Sequence, residues 1–235
     1  MILGAAFCPY PPAIVPEVAG AAAVELADLR SACTAAISQV FARGGQLVLL
    51  GAGAQSASHS PVCRGSLAGL GVAMEVHLGS PSCGGQLDLP LSLTIGAWLV
   101  RESVGPTSAA RAFSIGPDFA SSRASVELLG LAQSEDLALL VMGDGSARRS
   151  TSAPGYLDER AAGFDASVVS ALEHGDAVAL EALDADLGDQ LLVAGVPAWH
   201  VAGGLMDAAP YDARVLYDDA PYGVGYFVSA WTARA

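Results

Sequence analysis

Residues 137–142 read Leu-Ala-Leu-Leu-Val-Met, six apolar residues in a row, and break off into Gly143-Asp144-Gly145. A short apolar run without alternation, closed by glycine, predicts a strand buried on both faces. Such a strand needs helices above and below it, so this one segment already points to a layered α/β fold.

The rest of the chain fits that demand. Residues 2–7 predict a first strand that ends in Cys8-Pro9-Tyr10-Pro11-Pro12. Residues 18–43 carry a long helical pattern stopped by Gly44-Gly45, and residues 46–50 a buried strand running into Gly51-Ala52-Gly53. A Ser-rich loop is expected to about Ser66, then a strand over 74–78, a Gly/Ser/Pro loop and an apolar helix over 91–102. Residues 112–115 predict a strand and 125–133 a helix; helices dominate from about 158 to 206, and strands over 214–217 and 225–231 finish the chain. With no repeat and no linker, residues 1–235 read as one domain. Ligands of open α/β sheets gather beyond the carboxyl ends of the strands, which selects the loops beginning at Cys8, Gly51 and Gly143.

Composition excludes several classes of function. Hydrophobic residues make up 52% and charged residues 15%, too apolar for a disordered chain. The longest apolar stretches, such as residues 89–100, fall short of the roughly 20 residues that span a bilayer. With no basic leader ahead of Pro9, Pro11, Pro12 and Pro16, the chain reads as cytoplasmic. Eleven basic residues, all arginine, face 24 acidic ones for a net charge of −13. That average field repels nucleic acid, although clustered arginines would still admit an anionic small molecule. The four cysteines, Cys8, Cys33, Cys63 and Cys83, form no CxxC pair and read mostly as small buried hydrophobes.

The segment from Gly143 to Ser150 is the richest in chemistry. Its glycines would let the backbone bend so that Asp144, Ser146, Arg148 and Arg149 address one point, or its Asp and Ser would simply cap the next segment. Gly51-Ala52-Gly53-Ala54 lacks the third glycine of a dinucleotide loop, Ser56 standing there, and the chain has no lysine for a phosphate loop. Of the histidines, His59 follows the second strand and is placed for a site. His77 falls in a strand, His174 near a helix C-terminus and His200 in a helix, where structural roles are expected. No HExxH or GxSxG pattern occurs.

In order along the chain, Ala5-Ala6-Phe7-Cys8-Pro9-Tyr10-Pro11-Pro12, Arg64-Gly65-Ser66-Leu67-Ala68-Gly69, residues 142–158 and Tyr222-Gly223-Val224-Gly225-Tyr226-Phe227 resemble actinobacterial proteins of the class III (LigB-type) extradiol dioxygenases. The resemblance implies a three-layer α/β/α sandwich around a central mixed, largely parallel sheet. It also implies Fe(II) held by two His and a Glu, and O₂-dependent cleavage of an aromatic ring. The sequence departs from that pattern. Tyr10 stands where the family often has His, Gly51-Ala52-Gly53 replaces a Ser-Pro-His type sequence, and Ala147 takes the place of the acid/base His. No Glu lies within residues 222–231.

Three readings follow. A divergent oxidoreductase would hold a divalent metal through His59 with Cys8, Tyr10 or Asp144, and use Asp144, Ser146 and Arg148 in catalysis. A metal-free protein would grip a small aromatic or anionic ligand with Tyr10, Arg148, Arg149 and Tyr156. A non-catalytic subunit would use the apolar helix over 91–100 in a homo-oligomer, a helix that reads equally as core.

Overall fold

Strand side chains alternate between faces, and the buried residues of this chain sort by that period into two cores. In the computed structural model, which describes residues 1–79, 86–106, 110–206 and 210–234, one core takes Ala6, Cys8, Leu47, Leu49, Leu140 and Met142. The other takes their neighbours Ala5, Phe7, Val48, Leu50, Leu139 and Val141. The sheet between them therefore has helices on both faces, a three-layer α/β/α sandwich.

Its strands are β1 (Ile2–Cys8), β2 (Gln46–Ala52), β3 (Ala57–His59), β6 (Arg111–Ile115), β7 (Leu137–Met142), β8 (Tyr211–Asp219) and β9 (Tyr226–Ala233), while β4 (Arg64–Ser66) and β5 (Glu75–His77) form a separate ribbon. The order is β3-β6-β2-β7-β1-β9-β8, with β7 in the middle as its unbroken apolar run requires. The pairs β1–β7, β7–β2 and β2–β6 are parallel; β3, β9 and β8 add antiparallel edges.

Helices α2 (Ala27–Phe41) and α3 (Leu91–Val104) cover one face. Helices α4 (Arg123–Ser134), α5 (Arg160–His174), α6 (Ala177–Glu181), α7 (Ala185–Gln190) and α8 (Val196–Met206) supply the other side. Residues 92–100 of α3 are all buried within the single chain, so this helix is core and not an exposed interface. No helix among the described residues is long and apolar enough to cross a membrane.

Two expectations need correction. The helix expected over 18–43 is broken: α1 (Pro16–Ala19) ends at Gly20, whose φ of 57° leaves the helical region. A 3₁₀ segment (Gly20–Leu26) then precedes α2. The loop expected after Gly51-Ala52-Gly53 contains β3 and β4, strands of three residues, too short for any periodicity to register. Cys83 and most of the Gly/Ser/Pro loop lie outside the described residues.

Candidate functional site

The loops beginning at Cys8, Gly51 and Gly143 do meet at one end of the sheet: Met142 lies opposite both Cys8 and Gly51, and the Gly143 amide donates to the Cys8 carbonyl at 2.9 Å. There the Asp144 carboxylate accepts the Tyr10 amide at 2.7 Å. Burial pushes its pKa from 3.8 up to about 7, and the Tyr10 amide pulls the other way. The phenols of Tyr10 and Tyr226 are both raised, by burial first and by Asp144 second. The Cys33 thiol is raised by burial and then by the neighbouring Cys8 sulfur.

The polar residues that follow Asp144 do not converge with it. Ser146 is buried, with its hydroxyl donating to the Leu191 carbonyl at 3.1 Å and accepting the Arg148 amide at 3.1 Å. The Arg148 guanidinium donates to the Gly155 carbonyl at 2.6 Å. Arg149 pairs at 2.8 Å with Asp165, a carboxylate only 1% exposed that also accepts the Ser146 amide at 2.8 Å. Tyr156 sits at a left-handed φ of 60°, 64% exposed. Both arginines expected to grip a ligand are therefore engaged inside the fold, where they hold the loop on α5 and on its own turn.

Nor do the glycines beside Asp144 serve a positive-φ bend. A Cβ on Gly143 would lie 2.6 Å from Gly195 Cα, and one on Gly145 2.6 Å from the Phe227 ring. Close packing against α8 and β9 demands glycine there.

His59 lies elsewhere. It ends β3 at the sheet edge, four strand spacings from β1, so at about 4.8 Å per spacing roughly 19 Å separates it from Cys8. Tyr10 follows β1 and Asp144 follows β7, three or more spacings from β3. The expected metal pairing of His59 with Cys8, Tyr10 or Asp144 is overturned by strand order.

Two other residues meet His59 instead. A turn closed by the Cys63 amide on the Ser60 carbonyl (2.9 Å) brings Cys63 back beside it. The segment after the Gly/Ser/Pro loop is laid along β4, with the Asp88 amide on the Arg64 carbonyl at 3.0 Å, and this delivers Asp88. One ligand atom from each of His59, Cys63 and Asp88 lies within 4.8 Å of the other two, a triad that could hold a metal ion. His59 and Cys63 are 4% and 7% exposed, whereas the Asp88 side chain is 55% exposed. His59 and Asp88 line a cleft of about 490 Å³, together with residues 53–55, Ala57, Ser66, Leu87, Leu89, Pro90 and Ser114, while Cys63 lies behind them.

Hydrogen bonding decides which imidazole nitrogen faces the triad. The Ser114 hydroxyl lies 2.9 Å from the Gln55 carbonyl and 3.1 Å from His59 Nε2; when its one proton goes to the carbonyl, its oxygen accepts from an Nε2–H. In that arrangement Nε2 carries the proton of the neutral ring and Nδ1 presents its lone pair. The buried Nδ1 faces Asp88 Oδ2 at 3.3 Å, a contact too poorly aligned for a well-formed hydrogen bond. Burial lowers the His59 pKa, with Asp88 opposing, which favours the neutral ring. A lone pair set against a carboxylate is repulsive unless a cation lies between them, and the donor set fits one. Zinc bonds of about 2.0–2.3 Å bring tetrahedral ligands to roughly 3.3–3.7 Å of one another; His59 Nδ1 and Asp88 Oδ2 already stand at 3.3 Å, and the remaining closure falls to Cys63.

Sequence reasoning singled out His59 but took Cys63 for a buried hydrophobe and passed over Asp88. The available signal was the His-x₃-Cys spacing in a Ser/Pro-rich loop. Asp165 was missed too, although an acid among Ala161, Phe164, Val168 and Leu172 interrupts the apolar stripe of α5. His174, in the last turn of α5, donates from Nδ1 to the Ser170 carbonyl at 2.8 Å, and His200 on α8 donates from Nε2 to the Leu183 carbonyl at 2.9 Å, both structural positions. No protein-family model matches the chain, and no curated protein matches it.

Proposed function

We propose that this chain is a divalent-metal protein whose working centre is His59, Cys63 and Asp88, acting on a small molecule admitted through the adjoining cleft. The observation that carries the reading is the buried His59 ring, with Ser114 on Nε2 and with ligand atoms of Cys63 and Asp88 within 4.8 Å of one of its nitrogens. Among the described residues three donors meet there, which leaves at least one position of a tetrahedral ion for a further ligand. The ion would supply a Lewis acid at the inner end of the cleft. The chain's own residues would orient the ligand: Ser66 and Gln55 offer polar contacts, while Leu87, Leu89 and Pro90 give an apolar wall. Among the described residues the lining carries no arginine, so the ion itself would be the anchor for an oxygen or nitrogen donor of the ligand.

The resemblance to extradiol dioxygenases supports a second reading, with Fe(II) at the same centre and O₂-dependent ring cleavage. What favours it is the same set of free positions; what separates the two is Cys63, where oxygenase sites of the two-His-one-carboxylate kind have imidazole. Equilibrium dialysis against Zn(II), and anaerobically against Fe(II), followed by elemental analysis tests the centre. One ion per chain, lost in His59→Ala and in Asp88→Ala, is expected, and no stoichiometric ion from either bath would refute it. Oxygen uptake by the Fe(II)-loaded chain with a panel of catechols then tests ring cleavage.

A further inference from the structure

The donor set carries an inference about which cation the centre takes and which residue outside it sets its geometry. We infer that the site is a thiolate-ligated zinc site in which Ser114 is a positioning residue, fixing His59 as the Nε2–H tautomer so that Nδ1 is the ligand. This rests on the metal centre proposed above.

Three features of the molecule support it. First, the nucleophilic sulfur of Cys63 is buried beside a buried imidazole and only Asp88 reaches solvent, so the centre combines one soft, one borderline and one hard donor. Thiolate with imidazole suits zinc, whereas Mg²⁺, Ca²⁺ and Mn²⁺ prefer oxygen alone. Second, the donors come from a strand end, a tight turn and a segment pinned to β4 by backbone hydrogen bonds. All three donor segments are thus placed by the fold before any ion arrives.

Third, the chain Gln55 carbonyl, Ser114 hydroxyl, His59 Nε2 is an outer hydrogen-bonded shell of the kind that orients metal-binding histidines. Its members come from the β2–β3 loop and from β6. The shell is built into the sheet edge: Ala57 and Ser114 are register partners, and a Cβ on Gly53 would lie 2.8 Å from Ser114 Cβ, so only glycine lets the loop close over the hydroxyl.

Two measurements on the full chain test this. In metal-free protein, long-range ¹H–¹⁵N correlation of the His59 ring reads the tautomer directly. The Nε2–H form is expected in the wild type and a mixture in Ser114→Ala; an Nδ1–H ring in the wild type would overturn the positioning role. In protein loaded with Co(II) as a zinc surrogate, a thiolate-to-metal charge-transfer band is expected, absent in Cys63→Ser. Zinc affinity should fall about 10–100-fold in Ser114→Ala, with the band kept. Cobalt bound at His59 and Asp88 with no thiolate band would overturn the zinc–thiolate assignment while leaving the metal centre standing. No cobalt bound at all would overturn both.

Discussion

Asp144→Asn should change the pH dependence of stability in a defined window. The native carboxyl holds its proton up to about pH 7, whereas the unfolded chain releases it near 3.8. Because folding raises this pKa, the associated stability is fully present below pH 3.8 and is lost as pH rises to about 7, then stays constant. A gap of about three pH units corresponds to about 4 kcal/mol. Asparagine is neutral throughout and retains an oxygen for the Tyr10 amide, so the variant should lack this slope. Urea unfolding of both proteins at pH 4.5, 5.5, 6.5 and 7.5 isolates it, since all other groups are common to the two. The variant should gain on the wild type by about 3 kcal/mol across the series, levelling off only above the native pKa of about 7. A difference that does not vary with pH would refute the argument from burial.

Two further variants probe how the loop after β7 is held. Asp165→Ala leaves the Ser146 amide and the Arg149 guanidinium without their shared acceptor and should cost about 3 kcal/mol in urea unfolding. A loss under 1 kcal/mol would mean that solvent replaces the carboxylate. Gly143→Ala sets a methyl against the Gly195 backbone, which cannot swing aside as a side chain could, and should cost about 3 kcal/mol. An unchanged melting temperature would show that α8 moves freely relative to β7.

The sheet was legible in the sequence because its inner strands are apolar on both faces. Leu137–Met142 reads as a central strand from composition alone, and the predicted bounds match those of β7. What escaped notice depended on tertiary pairing. The three-residue strands β3 and β4 exist only because β6 and β5 run beside them. Asp88 reaches His59 across 29 positions of chain because backbone hydrogen bonds tie it to Arg64. The Gly143–Ser150 segment misled in the opposite sense. Its Asp, Ser and Arg residues have the composition of a site, yet Ser146, Arg148 and Arg149 are engaged with Leu191, Gly155 and Asp165, partners that local sequence does not reveal.

Anomalous diffraction at the zinc absorption edge, from crystals of the full chain grown with Zn(II), tests the central claim most directly. The account predicts one strong peak per chain, within bonding distance of His59 Nδ1, Cys63 Sγ and an Asp88 oxygen, with His59 Nε2 still on Ser114. No peak there, or a peak beside Asp144 and Tyr10 at the carboxyl end of β7, would contradict it.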